Sequence, residues 1–295
     1  MTGAGGVTSA IVGMSSTDQE SEAMADHLQG LLGPTLDANT SSFAEFLGRA
    51  MPDHRLSVPA TDLAPHGTTI IASRYRDGVV MAGDRRATMG SVIALRDIEK
   101  VFGADDSSII GVAGTAGTAV ELVRLFQVEL EHFEKIEGVS LSFEGKANRL
   151  GALLRANLPQ AMQGLVVLPL FVGWDDRAGR GRLFSYDATG GRYEEQDFCA
   201  IGSGASFARG SLKKMHDPEA DEFTAVAALL QSLFDAADDD SATSGLDVTR
   251  GIFPVVMRAS ADGVAKWDEE EVRELAERIV TGRKARPEGP RGTAL

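Results

Sequence analysis

From Thr68 onward, strand-like and helical segments come in blocks and do not alternate one by one. The order along the chain is strands, two helices, strands, two helices, strands and a final helix. Alternating βαβ winding would place single helices between single parallel strands. Paired helices between blocks of strands instead favour helices packed outside two stacked antiparallel sheets. We therefore predict an α+β fold with four layers, an αββα sandwich.

The predicted segments follow from hydrophobic periodicity, with period two in strands and apolar residues three and four apart in helices. Strands are predicted at 68–76, 78–84, 107–114, 165–174, 181–187, 251–259 and 263–267. Helices are predicted at 118–135, 148–162, from about Ser203 to Met215, at 221–237 and at 268–280. Pro159 should kink the second helix, and residues 284–295 should form a flexible tail.

Residues 1–67 differ in composition from the rest of the chain. They contain eight acidic residues, two arginines and no lysine, and they are rich in Ser, Thr, Gly and Pro. Two short helices are possible there, one after Thr17 and one at 41–51, where Ser42 and Glu45 fit a capping box. We interpret this region as a semi-ordered prosegment and not as an independent domain.

Composition excludes several classes of function. A net charge of −14 argues against general nucleic-acid binding, which needs a basic surface. The longest apolar stretch, 165–174, is far shorter than the roughly 20 residues of a spanning helix. The N-terminus lacks a basic region followed by an apolar one, and Cys199 is the single cysteine, so no intrachain disulfide can form. We predict a cytoplasmic protein with no nucleic-acid or membrane partner.

The segment HGTTI (66–70) begins the first predicted strand. A threonine hydroxyl needs a base to become a nucleophile. A cut between Gly67 and Thr68 would free an α-amine with an ordinary pKa of about 8. Thr68 would then supply both nucleophile and base, and Gly67 has no side chain to block attack on its carbonyl. The alternative is that Gly-Thr-Thr merely opens a strand, and Thr69 is predicted to be an ordinary strand residue.

Three further residues have the chemistry that such a nucleophile needs. Asp84 ends the second predicted strand, and Lys100 lies between apolar neighbours in RDIEKVF (96–102). If Lys100 is buried beside Asp84, it would stay charged, lower the pKa of a nearby amine and stabilise negative charge on the threonine oxygen. Otherwise it is a surface lysine with an apolar stem. Gly114, between a strand and a helix, is either an oxyanion donor or a tight-turn glycine.

Other motifs are weaker. Residues 202–208 (GSGASFA) lack the Lys-Ser/Thr of a P-loop and the third glycine of a dinucleotide loop. Residues 238–245 (DDDSATSG) are either a solvated acidic cap or a polar cluster that could hold an N-terminal amine. The five histidines and the cysteine have no zinc-ligand spacing and do not support Ser-His-Asp or Cys-His catalysis. We predict no metal and no cofactor.

Six segments resemble proteasome β-subunits in order and spacing, and look most like the actinobacterial 20S type. They are HGTTI, GVVMAGDRRAT, RDIEKVF, GVAGTAG, IGSGASFA and DDDSATSG, and the resemblance covers about 68–283. It implies the fold of the N-terminal nucleophile hydrolases, which is the αββα sandwich. It also implies that 1–67 is a propeptide removed by self-cleavage and that 68–283 is the catalytic domain.

The resemblance also implies roles for single residues. Thr68 would be nucleophile and, through its freed amine, base, with Asp84 and Lys100 as the charged pair beside it and Gly114 as oxyanion donor. The residues that hydrogen-bond around the threonine amine would be Ser203, Asp240 and Thr243, the last at a position where the family often has serine.

The substrate site is implied in the same way. Thr88 would align the peptide as an extended strand through its backbone. The pocket for the residue before the cut would be lined by Ala87, Ile98, Val112 and Ala116. These side chains are apolar, and no acid or base is expected among them, so we predict a preference for hydrophobic residues.

The implied activity is that of a threonine endopeptidase subunit. Implied partners are proteasome α-subunits, other β-subunits in stacked rings and a ring-shaped ATPase that feeds unfolded protein. Three alternatives remain open: a non-catalytic ring subunit, a subunit of a simpler ATP-dependent peptidase built from two hexameric rings, and a small-molecule amidohydrolase of the same fold. The presence of Thr68, Asp84 and Lys100 argues against the first, and the long leader argues against the second.

Overall fold

The computed structural model describes residues 67–290. Twelve strands and six helices lie in this part of the chain. The strands are β1 (Thr69–Tyr75), β2 (Gly78–Gly83), β3 (Ala87–Met89), β4 (Val92–Leu95), β5 (Val101–Asp105), β6 (Ser108–Gly114), β7 (Val167–Asp175), β8 (Arg180–Tyr186), β9 (Arg192–Glu195), β10 (Phe198–Gly202), β11 (Val255–Ser260) and β12 (Gly263–Lys266). The helices are α1 (Ala116–Glu137), α2 (Phe143–Ala156), α3 (Leu158–Met162), α4 (Ala205–Met215), α5 (Glu222–Asp239) and α6 (Glu269–Ala285).

The strands form two five-stranded antiparallel sheets and one short hairpin. The first sheet has the order β10-β1-β2-β11-β12, the second has the order β5-β6-β7-β8-β9, and β3 pairs only with β4. Because strands from both ends of the chain pair in the first sheet, residues far apart in sequence meet at the ends of β1 and β2.

Three apolar clusters hold the layers together. One lies between the first sheet and helices α4, α5 and α6, and a second lies between the second sheet and helices α1 and α2. The third fills the space between the two sheets, where Ile70, Met81, Ile109 and Leu170 are fully buried. The layer order is therefore helix, sheet, sheet, helix, and the predicted αββα sandwich is confirmed.

The strand β1 shows why the sequence folds this way. Successive side chains of a strand point to opposite faces. Ile70 and Ala72 pack between the sheets, whereas Ile71 packs against the helices. Both faces of this central strand are buried, which explains why Ile70, Ile71 and Ala72 are apolar in succession and do not alternate with polar residues.

Several predicted boundaries differ from the structure. The second predicted helix was placed at 148–162, but α2 already begins at Phe143, where Ser142 caps it by accepting the Gly145 N–H at 3.2 Å. The chain breaks at Asn157, and Pro159 lies in the first turn of the separate helix α3, where its missing N–H leaves no helical bond unmade. The last helix extends past the predicted end to Ala285.

Five strands were not predicted, namely β3, β4, β5, β9 and β10. The hairpin strands β3 and β4 are only three and four residues long, too short for a period of two to be recognised, and β4 is largely exposed although its sequence VIAL is apolar. The edge strand β9 is polar and has no apolar run. Within residues 67–290, no helix is long and apolar enough to cross a membrane. The predicted helices of the leader and the end of the predicted tail lie outside the described residues.

Candidate active site

Thr68 lies directly before β1 and is 5% exposed. By the alternation of side chains along β1, Thr68 shares a face with Ile70, towards the space between the sheets, and Thr69 shares a face with Ile71, towards α5. Thr68 also lines a pocket with Val112 and Gly114 of the second sheet. The candidate nucleophile therefore lies at the open edge between the two sheets.

Gly67 has a backbone conformation that favours glycine, with φ of +100°. Its carbonyl oxygen accepts the Thr68 Oγ1 hydroxyl at 2.7 Å and the Lys100 ammonium at 3.1 Å. A Cβ atom at this position would lie 2.5 Å from Thr88 Oγ1 and 3.1 Å from the Ala242 Cβ. The Gly67 carbonyl thus contacts both the candidate nucleophile and a cation, and residue 67 packs closely against Thr88 and Ala242.

Lys100 and Asp84 form a buried ion pair beside that carbonyl. Their side chains are 4% and 0% exposed, and Lys100 Nζ lies 2.6 Å from Asp84 Oδ1. The three protons of the ammonium have three acceptors, which are Asp84 Oδ1, the Gly67 carbonyl and the Arg86 carbonyl. Burial lowers the pKa of Lys100, and the neighbouring carboxylate opposes that shift. With three acceptors in place, we assign the charged form to Lys100.

The Asp84 carboxylate is fixed by backbone donors as well as by Lys100. Its Oδ1 accepts the Thr69 N–H at 2.7 Å, and its Oδ2 accepts the N–H groups of Arg86 at 2.9 Å and Ser244 at 3.0 Å. Charge-assisted bonds of this kind are stronger than neutral ones. Asp84 can therefore hold the lysine at one position relative to the Gly67 carbonyl.

Ser203, Asp240 and Thr243 lie together on the other side of Thr68. The Ser203 N–H donates to the Thr68 carbonyl at 2.9 Å. Asp240 Oδ2 accepts the hydroxyls of Ser203 at 2.6 Å and Thr243 at 2.5 Å. Burial alone would raise the pKa of Asp240, but these two hydroxyls hold it below its ordinary value. Asp240 is therefore a carboxylate at neutral pH, close to the nucleophile's backbone.

Gly114 ends β6 immediately before α1, as predicted, with φ of +113°. A side chain there would collide with the Val166 carbonyl, so the position accepts only glycine. The pocket beside Thr68 contains all four residues predicted to line it, with further residues from the segment before β5 and from α1. These include an acid and a base, Glu99 and Lys100, which the sequence had not led us to expect there. The pocket lining is Gly67, Thr68, Ala87, Ile98, Glu99, Lys100, Val112, Gly114, Ala116, Ala119 and Val120.

The structure thus brings together every residue that the sequence analysis selected for the site, with Thr88 beside Gly67. It also adds residues that were missed. Thr69 was expected to be an ordinary strand residue, but its buried hydroxyl contacts Thr243 at 2.6 Å. Ser244 contacts Asp84 and was not selected. Alternation along β1 places Thr69 on the buried face that also carries Ile71, Ser73 and Tyr75, but it does not indicate which residues its hydroxyl contacts. Within residues 67–290, no group of three or more His, Cys, Asp and Glu side chains could hold a metal ion.

Comparison with known proteins gives consistent matches over most of the chain. The profile of the family described as "Proteasome subunit" matches residues 64–249. A "Proteasome subunit beta" of Acidothermus cellulolyticus is 55% identical over 260 residues, which span 85% of this chain and 90% of that protein. Proteins of the same description from Stackebrandtia nassauensis and Rhodococcus jostii are each 53% identical over 266 residues, spanning 87% and 83% of this chain and 95% and 90% of theirs.

Proposed function

This chain belongs to the proteasome subunit family, and we propose that it is a catalytic β-subunit, a threonine endopeptidase that first cleaves its own Gly67–Thr68 bond. The observation that carries this proposal is the contact of a buried, paired ammonium with the Gly67 carbonyl, which also accepts the Thr68 hydroxyl. An inactive ring subunit would have no use for a charged group buried at this bond, because burying charge is costly.

Self-cleavage begins with attack of Thr68 Oγ1 on the Gly67 carbonyl carbon. The new C–O bond replaces the C–N bond, and the hydroxyl proton ends on the departing nitrogen, which becomes the Thr68 amine. Negative charge that develops on the Gly67 oxygen is stabilised by Lys100, which is already 3.1 Å away. Water then hydrolyses the ester and releases residues 1–67. Lys100 donates all three of its protons, so its role in this step is electrostatic.

Peptide hydrolysis uses the same atoms with a new base. The freed amine of Thr68, whose ordinary pKa is about 8, accepts the hydroxyl proton. The charged Lys100 disfavours protonation of that amine. Thr68 Oγ1 attacks the substrate carbonyl, and the Gly114 N–H stabilises the oxyanion beside the positive end of α1. An acyl-enzyme forms, the amine donates its proton to the leaving nitrogen, and water releases the acyl group.

Removal of the nucleophile tests both steps. Thr68→Ala is expected to leave the full-length chain uncut and to abolish peptidase activity in the assembled particle. Intact-mass spectrometry of the purified complex measures the first outcome, and turnover of a fluorogenic peptide measures the second. Thr115→Ala is a matched control, because Thr115 is also buried and gives no side-chain cap to α1. Loss of residues 1–67 from Thr68→Ala without an added protease would contradict the scheme.

The pocket predicts specificity. We propose that Ala87, Ile98, Val112 and Ala116 receive the residue before the cut. Glu99 and Lys100 also line this pocket, but they are paired with Lys266 and Asp84, so a charged peptide side chain would find no free partner there. Burying an unpaired charge costs several kcal/mol, so peptides with Leu or Phe at that position should have kcat/KM at least about tenfold above Arg or Glu peptides. A panel of peptides that differ only at that residue measures this. Equal or faster cleavage after Arg or Glu would refute the assignment of the pocket.

The partners follow from the family. We propose that the chain assembles with proteasome α-subunits and with further copies of β-subunit into stacked rings in the cytoplasm, and that a ring-shaped ATPase supplies unfolded protein. The names of the relatives support the subunit role. Native mass spectrometry of the chain with a cognate α-subunit tests the assembly.

A further inference from the structure

Thr69 is bonded to both halves of the candidate active site. Its backbone N–H donates to Asp84 Oδ1 at 2.7 Å, and its carbonyl accepts the Asp84 N–H at 3.0 Å. Its hydroxyl oxygen lies 2.6 Å from Thr243 Oγ1 and accepts the Gly204 N–H at 2.9 Å. One fully buried residue, covalently next to Thr68, therefore contacts the carboxylate that holds Lys100 and the cluster around Asp240.

The protons in this cluster have one consistent assignment. The Thr243 hydroxyl has a single proton, and it is directed to the Asp240 carboxylate at 2.5 Å. The proton between the two threonines must then come from Thr69. The chain of donors thus runs from the Gly204 N–H to Thr69, from Thr69 to Thr243 and from Thr243 to Asp240. Each hydroxyl both donates and accepts, and hydrogen bonds in such a chain strengthen one another.

The glycine at position 204 supports the importance of these oxygens. Gly204 has φ of −84° and ψ of 5°, which any residue can adopt. A Cβ atom there would lie 2.6 Å from both Thr69 Oγ1 and Thr243 Oγ1, and 3.2 Å from Asp240 Oδ2. Backbone conformation therefore does not require glycine at this position, but the space occupied by the hydroxyl cluster does.

We propose that Thr69 is a positioning residue for Thr68, which it fixes by joining the Asp84–Lys100 pair to the Ser203–Asp240–Thr243 cluster. By strand alternation its hydroxyl lies on the face opposite Thr68, so it acts through the backbone and the hydrogen-bond chain and does not touch the substrate. This inference rests on the proposed threonine peptidase function. It assigns to the second threonine of the HGTTI segment a role in holding the first.

The test compares variants of Thr69 in the assembled particle. Thr69→Val keeps the shape and removes the hydroxyl, so the Gly204 N–H is left buried without its acceptor; we expect kcat to fall about tenfold, with KM unchanged within about twofold. Thr69→Ser restores the hydroxyl and should recover kcat to within about threefold of the unaltered chain. The rate of self-cleavage, measured by intact-mass spectrometry, should rank the unaltered chain, Thr69→Ser and Thr69→Val in the same order as kcat.

Coupling and steric variants make the test specific. Thr243→Val should resemble Thr69→Val, and the double variant should be no more than about twofold worse than the worse single one, because both interrupt one chain. Gly204→Ala should also slow turnover by displacing the hydroxyls. Its matched control is Gly210→Ala in α4, the helix that Gly204 precedes, where a Cβ meets nothing within 4 Å. Ser232→Ala, which removes a buried hydroxyl elsewhere, controls for Thr69→Val.

Three results would overturn the inference: full activity of Thr69→Val, equal impairment of Thr69→Ser and Thr69→Val, or multiplicative effects of the two threonine-to-valine changes. The proposed function fails by a different result, which is unchanged activity of Thr68→Ala. If Thr69→Val does not assemble, Gly204→Ala tests the positioning role instead, because it displaces the hydroxyls of Thr69 and Thr243 without removing either of them. Unchanged kcat of an assembled Gly204→Ala particle would contradict the positioning role.

Discussion

Lys100→Met is expected to slow self-cleavage by about 10²–10³, the usual loss when one donor to a developing oxyanion is removed, and to slow peptide hydrolysis as well. Methionine has a similar length and no charge, so the pocket wall beside Val112 should keep its shape. The ammonium lies 3.1 Å from the Gly67 oxygen, where charge develops in self-cleavage. In the mature enzyme the same cation disfavours protonation of the Thr68 amine. Time courses of leader loss and of peptide turnover measure the two effects.

The same change has a cost for stability, and the two effects can be separated. Removal of one partner of a buried ion pair leaves the other charge uncompensated and costs about 3–5 kcal/mol. Lys100→Met should therefore lower Tm, because it leaves the buried carboxylate of Asp84 without its cationic partner. Lys100→Met/Asp84→Asn should recover much of that Tm while activity stays low. Recovery of activity in the double variant would show that the lysine acts only as a structural partner.

Much of this fold follows from periodicity alone, and the exceptions have local causes. The buried strands β1, β2, β6 and β7 are apolar runs whose position in the sequence needs no tertiary context. By contrast, β10 is only five residues long and becomes a strand through its pairing with β1. The extension of α6 past its predicted end is stabilised by Arg283, which is buried and lies 2.7 Å from Asp235 of α5. Gly282 obscured that extension in the sequence, because glycine is a poor helix former.

The candidate site also has features that the sequence indicates and features that it does not. Thr68, Asp84, Lys100 and Gly114 stand at strand ends, where sequence pattern and residue type already indicate chemistry. The connections among them cannot be predicted from local pattern, since Thr69 and Thr243 are 174 residues apart in sequence and Thr243 lies in the loop after α5, which packs against β1. Thr69 is a strand residue of β1, as predicted, but the hydrogen bonds of its hydroxyl were not predicted, for this reason. Its hydroxyl is explained by α5 and the loop after it, which no short segment contains.

Gly67→Ala is expected to slow self-cleavage at least about tenfold and to leave the processed enzyme unaffected. Two costs add at this residue. Alanine at φ of +100° is strained by about 1–3 kcal/mol, and its Cβ would lie 2.5 Å from Thr88 Oγ1. The chain can relieve both by turning residue 67 away, but this moves its carbonyl from Lys100 and from the Thr68 hydroxyl. Gel or mass analysis of leader loss over time measures the effect.

Two companion variants separate the two costs. Gly67→Ala/Thr88→Ala removes the close oxygen and should recover part of the rate, and the remainder is the backbone strain. Gly90→Ala is the matched control, because Gly90 also has positive φ, of +55°, but open space around it, so self-cleavage should proceed at the ordinary rate. Faster cleavage of Gly67→Ala would carry the opposite meaning. The backbone strain of alanine at position 67 would then be released in the transition state. Glycine at position 67 would in that case slow self-cleavage, whereas we expect it to permit self-cleavage.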